Sequence, residues 1–201
     1  MSGILNKTGA RSGIVGTTES KVGSTFLGSN TVTNAQLSLD GFFTSEYTNY
    51  EIVFTVQPYT NNEDMGCRIN ISGSASGTAL YCYTRHQTYM DENTSQSHDA
   101  QAVWTDSYWR VGSNDAAAAV VNPCFGSFKI CDPLNSAVMP LMVGESINGN
   151  STAPIQNAVR NWNWACMYRA ATVCTGVTFL ARASNNAFSN VKGTASVYGL
   201  K

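Results

Sequence analysis

The sequence predicts an all-β fold: an antiparallel jelly-roll β-sandwich of about eight to ten strands, carrying an extended N-terminal arm. Three observations predict it. Apolar and polar residues alternate with period 2 in many short runs. Clusters of Gly, Asn, Ser or Pro separate those runs. The composition replaces charge with small polar residues: only 12% of the 201 residues are charged, whereas Ser, Thr and Asn number 21, 20 and 19. Ser and Asn favour turns over helix interiors, and Thr is also a strand former. Hydrophobic residues still make up 43% of the chain, enough to build a core and too many for a disordered polypeptide.

Residues 1–34 form the arm. Gly3, Gly9, Gly13 and Gly16 break any helix longer than a turn or two. Two small apolar pairs, Ile4 with Leu5 and Ile14 with Val15, cannot make a core of their own. They would be buried against another subunit or another protein, giving an arm that orders on its partner.

Residues 35–201 form the head. Ala35, Leu37 and Leu39 open the alternation. Tyr50, Ile52, Phe54 and Val56 then share one face, until Pro58 stops the run. Cys67, Ile69 and Ile71 alternate with Arg68 and Asn70, and the run around Leu80–Tyr83 is apolar on both faces. Further strands are expected near 101–111, 124–131, 136–144, 160–169, 176–182 and 193–200. Trp162, Trp164, Cys166 and Tyr168 fall on one strand face, the pattern of a core. Asp115 with the following alanines, and Pro154–Arg160, could each form one helical turn. Long polar connections are expected at 58–66, 86–100, 112–123 and 145–158, and such loops are where binding surfaces are built.

Charge and cysteine usage exclude several classes of function. A formal net charge of -1 lacks the basic footprint of a nucleic-acid binder and the polybasic clusters of a membrane-surface protein. No apolar run is long enough to span a bilayer, so no membrane insertion is expected. Asn6, Lys7, Thr8 and Arg11 interrupt the N-terminal segment, which leaves no signal-peptide core and predicts synthesis in a cytoplasm. The six cysteines form no C-x-x-C pair, which argues against zinc. Four of them, Cys67, Cys82, Cys131 and Cys166, sit in strand patterns and are expected to be buried free thiols.

Candidate chemistry is sparse. His86 and His98 bracket the most polar stretch, but no G-x-S-x-G elbow accompanies them. Asp91, Asn93 and Ser95 alternate like the start of a calcium loop, yet Gln96 replaces the turn glycine and Ala102 the bidentate glutamate. The pairs Glu63–Asp64 and Asp91–Glu92 are sequence neighbours, whose side chains point apart in strands, so they suit a glycosidase poorly. These observations predict no catalytic residue, no metal and no cofactor. Trp104 and Trp109 are an odd number of residues apart, so in one regular strand they would face opposite ways and one would be exposed. Exposed aromatics suit a subunit interface or, among Asn and Asp, a sugar ring. The candidate glycan-binding residues are Tyr89, Asp91, Asn93, Trp104 and Trp109, with an interface favoured over a glycan for the tryptophans.

Three phrases resemble a known group. Ser2-Gly3-Ile4-Leu5-Asn6-Lys7 with Gly13-Ile14-Val15-Gly16-Thr17-Thr18 resembles the N-termini of structural proteins of tailed bacteriophages, particularly of aquatic hosts. Gly193–Lys201, containing Val197-Tyr198-Gly199-Leu200, resembles the closing strand of phage jelly-roll virion proteins, and Tyr50–Pro58 is similar to an early strand of that group. The resemblance covers about a third of the chain. It implies a homotrimer located on the virion and assembled in the host cytoplasm. The arm would be anchored to tail, baseplate or capsid proteins, and the outward loops would face host surface polysaccharide. A tail-fibre or receptor-binding component is the first expectation, and a capsid decoration protein the second. The alternative from another class is a polysaccharide depolymerase.

Overall fold

The computed structural model describes residues 23–60, 63–90, 96–114, 123–152, 156–183 and 187–201. Among them the chain is all strand and turn, with no helix. Strands β1 (Ser24–Ala35), β2 (Leu37–Asp40), β3 (Asn49–Pro58), β4 (Glu63–Ile71), β5 (Ser74–Ala75) and β6 (Tyr81–Met90) come first. Next are β7 (Gln96–Asp106), β8 (Trp109–Asn114), β9 (Cys124–Cys131), β10 (Leu141–Thr152) and β11 (Gln156–Tyr168). The last three are β12 (Gly176–Ala183), β13 (Phe188–Ser189) and β14 (Val191–Leu200).

Two antiparallel sheets pack as a sandwich. The larger has the order β1-β14-β3-β9-β10-β11-β6-β7. In the smaller, β12 and β4 lie side by side; β2 and β13 pair with β12, and β5 and β8 with β4. The alternation in the sequence explains the burial. Tyr50, Ile52, Phe54 and Val56 of β3 point inward, as do Trp162, Trp164, Cys166 and Tyr168 of β11. They meet Cys67 and Ile69 of β4 and Val177 and Phe179 of β12 from the opposite sheet. Phe128 is central: its ring lies 5.4 Å from Trp164, 5.8 Å from Trp109 and 6.2 Å from both Phe54 and Phe179, centroid to centroid.

Side-chain hydrogen bonds tie the sheets together where apolar contact does not. The Tyr81 hydroxyl on β6 accepts from the Ile69 backbone N–H on β4 at 3.1 Å and donates to the Ser76 carbonyl at 2.9 Å. On β10, the Ser146 hydroxyl donates to the Val111 carbonyl on β8. Within the smaller sheet, buried Asn70 bonds Ser38 Oγ at 3.0 Å and accepts from Thr178 Oγ1 at 2.7 Å. Close packing at Gly144 needs a residue without a side chain, because a Cβ there would lie 2.4 Å from Phe128 Cβ and 2.5 Å from the Ser127 carbonyl oxygen.

Several expectations are corrected. Ser24–Asn34, grouped by composition with the arm, belong with Ala35 to the edge strand of the larger sheet, paired along β14. The residues of the arm pairs, Ile4, Leu5, Ile14 and Val15, lie outside the described residues. The expected loop 86–100 is mostly a hairpin of β6 and β7 in unbroken register from Tyr83↔Val103 to Met90↔Gln96. It hid from the alternation because His98–Ala102 are all exposed, so both faces of β7 are wet and neither is apolar. The expected loop 145–158 is likewise a hairpin, with β10 running to Thr152 and β11 starting at Gln156. Its inward positions Ser146 and Asn148 are polar although buried, which erased the pattern. This places Gln156–Arg160 in a strand rather than a helical turn. The other proposed turn, after Asp115, lies outside the described residues. The connection expected at 58–66 is shorter, since β4 starts at Glu63, and the strand expected at 136–144 begins only at Leu141. The expected connection 112–123 begins later, because β8 continues through Asn114. Cys131 is exposed and Cys82 only half-buried, because both take outward positions, on β9 and β6.

Candidate functional site

The candidate aromatic residues separate on folding. Trp104 is 71% exposed on β7, with the Arg169 guanidinium carbon 5.5 Å from its ring centroid. Trp109 is fully buried on β8, so it offers no face to a ligand, and its assignment as glycan-binding is corrected. The chain turns at Ser107–Tyr108 and carries the two indoles into different sheets. Tyr89 is near the end of β6, in register with Ser97 and Arg160. Trp104 is seven residues beyond Ser97, so the two backbone positions are about 24 Å apart along the hairpin. Tyr89 and Trp104 therefore do not share a site. Asp91 and Asn93 lie outside the described residues.

The two histidines do meet. His86 and His98 face outward on neighbouring strands with ring centroids 5.9 Å apart and planes tilted by 26°. Thr88 Oγ1 lies 3.3 Å from His98 Nδ1. Among the described residues, no three of His, Cys, Asp and Glu are grouped to hold a metal ion.

Two features stand out from the residues upward. The first is the outer face of the larger sheet, which the smaller sheet does not cover. Register aligns Cys131, Leu141, Met167 and Cys82 across β9, β10, β11 and β6. Val143 and Ala165 form the next row, and Phe125 pairs with Ile147 further along. Phe125, Leu141, Val143, Ile147, Val159 and Trp104 are all exposed. An outward sheet face in a self-contained soluble domain alternates toward polar residues. Here it carries exposed apolar side chains on four adjacent strands, in rows divided by the polar row Ser127, Glu145, Asn163 and His86, and exposed apolar surface of this kind marks an interaction site.

The second feature lies between the sheets. The Arg85 guanidinium carbon on β6 is 4.7 Å from the Trp162 ring centroid, and that of Arg110 on β8 is 5.4 Å from the same ring. Asp64 on β4 pairs with Arg110. Burial, reinforced by the neighbouring Arg110 charge, lowers the Arg85 pKa from its ordinary value. Sequence reasoning missed this cluster. Its signal was Arg85 on the inward parity of β6, in line with Tyr81 and Tyr83, where a core residue belongs.

The buried thiols are inert by environment. Burial pushes Cys124 and Cys174 up to about 12, and it raises Cys67 and Cys166 well above the ordinary thiol range. A thiol held protonated is neither a nucleophile nor a metal ligand.

No family model matches this chain, and no curated protein and no solved structure matches it either.

Proposed function

We propose that the chain is a non-enzymatic, self-assembling structural protein of a bacteriophage virion, with a jelly-roll head that forms a homotrimer. The observation that carries the assembly role is the apolar outer face of the larger sheet, centred on Leu141 and Val143. A lone domain gains nothing by leaving this surface in water, whereas a subunit buries it against copies or neighbours. The jelly-roll reading draws support from the strand order. The chain alternates between sheets through β1, β2, β3 and β4 and crosses again at β7–β8, β8–β9, β11–β12 and β13–β14, while β6–β7 and β9–β10–β11 each stay within the larger sheet. The phrases at the two ends of the sequence supply the virion reading. The arm anchors the head to tail, baseplate or capsid proteins, the outward loops face host surface polysaccharide, and exposed Trp104 belongs to the subunit interface.

The mass of the intact protein in solution tests assembly. A trimer at micromolar concentration is the expected result, and a monomer at all concentrations overturns self-assembly. The virion role is tested by deleting residues 1–18. The expected product is a soluble folded head that no longer joins particles, and normal incorporation overturns the anchoring role of the arm.

A further inference from the structure

Five buried N–H groups on Arg85, Arg110, Trp162 and Trp164 have no acceptor. They are Nε and Nη1 of Arg85, Nε of Arg110, and Nε1 of Trp162 and of Trp164. Arg85 and Trp164 are cross-strand neighbours, and both guanidinium groups lie against the Trp162 ring. Buried polar groups in folded proteins are almost always hydrogen-bonded, so a concentration of orphaned donors marks something that belongs there.

The chemistry of the missing partner follows from two properties of the cluster. All five groups are donors, so the partner is rich in acceptors. Two of the side chains are cations, and the Asp64 carboxylate is taken by Arg110. Arg85, only 9% exposed, thus keeps a buried charge with no carboxylate in hydrogen-bond contact. Asp99 and Asp64 act on Arg85 from a distance, so water would satisfy the donors but leave the buried charge only partly compensated, which is destabilising. The cluster is not sealed, since the Arg110 and Asp64 side chains are 20% and 26% exposed.

We infer that Arg85, Arg110 and the Trp162 indole form a binding site for one small oxyanion, a carboxylate or phosphate group, between β6, β8 and β11. Guanidinium groups match both anions through paired N–H donors, and the indole N–H adds a further donor. The oxyanion arrives either as a free inorganic ion or as the acid group of a sugar.

The test is thermal unfolding of the full-length protein at constant ionic strength in chloride alone, with added inorganic phosphate, and with added glucuronate. The expected result is a saturable rise in Tm of a few degrees over chloride with at least one oxyanion. A rise with phosphate alone identifies the free ion, and a rise with glucuronate alone the acid sugar. Arg85→Met keeps the length and packing of the side chain and removes the charge, so it abolishes the rise. Absence of any oxyanion effect in the wild-type protein overturns the site, and so does a full effect in Arg85→Met. If that variant fails to fold, calorimetric titration of each anion into the wild-type protein decides: saturable binding supports the site, and heats of dilution alone overturn it.

Discussion

The Tyr81 hydroxyl on the larger sheet accepts the backbone N–H of Ile69 on the smaller one at 3.1 Å. That N–H has been taken out of the strand ladder and given to a side chain from the opposite layer. Tyr81→Phe leaves the ring in place, against Trp109 and Tyr168, but orphans a buried donor. A loss of about 1–3 kcal/mol in folding stability is expected by denaturant titration. A loss below about 0.5 kcal/mol would show that the N–H finds another acceptor.

Gly144→Ala tests how tightly the core strands approach. The added Cβ meets the Phe128 Cβ and a backbone carbonyl, neither of which can swing aside. Overpacking of this kind costs about 1–3 kcal/mol, here at the upper end because backbone must move. The measurement is the denaturant midpoint, with an unchanged m-value showing that the same fold unfolds.

Thiol reactivity separates the six cysteines. Cys131 is exposed, whereas Cys67, Cys124, Cys166 and Cys174 are buried. In native protein at pH 8, a maleimide should label Cys131 first and leave the four buried thiols unmodified until denaturant is added. Mass spectrometry of partly labelled protein reads this directly. Fast labelling of Cys124 or Cys174 would contradict the packing.

The same thiols set an alkaline limit. Their folded pKa values lie above the unfolded value of about 8.5, so the folded state holds protons that the unfolded state releases. The stability they contribute is complete below about pH 8.5 and is lost as pH rises toward 12. Each such group costs about 1.4 kcal/mol per pH unit within that window. Unfolding free energy should therefore be flat from about pH 7 to 8.5 and fall steeply above pH 9. Cys124→Ala should shallow the fall.

Replacing both Leu141 and Val143 by Ser tests the outer face. Their side chains contribute little to the core, so monomer stability should change by no more than about 0.5 kcal/mol per site. Self-association, measured by sedimentation, should weaken at least tenfold. Trp104→Ala, on the same face, should likewise preserve the fold while weakening self-association. Trp109→Ala should unfold the head at a cost of about 3–5 kcal/mol, because it empties the centre of the sandwich.

Legibility in the sequence followed which faces of a strand are covered. β3 and β11 were readable because their inner faces carry unbroken apolar rows, Tyr50–Val56 and Trp162–Tyr168, against outer positions that include polar Glu51, Thr55, Asn161 and Asn163. The outer half of the β6–β7 hairpin was not readable, since His98–Ala102 are exposed on both sides and no period survives. β10 failed for the opposite reason: Ser146 and Asn148 are polar inside, and Ile147 is apolar outside. The tryptophan parity argument correctly required one exposed indole. It could not identify the exposed one, because a turn between the two residues sends them to separate layers. Arg85 shows the remaining gap. A charged residue at an inward position reads from the sequence as an interruption of the strand, and only the assembled sandwich places it beside Trp162 and Arg110.

β14, the last of the described strands, sits between β1 and β3, two of the first made. Neither early strand can acquire its final neighbour on that side until residues 191–200 have left the ribosome. Until then the nascent chain carries an unpaired flank on β3, open to any other extended segment that passes. Emergence of β14 is the moment at which the larger sheet closes, and chains stalled short of Val191 carry the open edge.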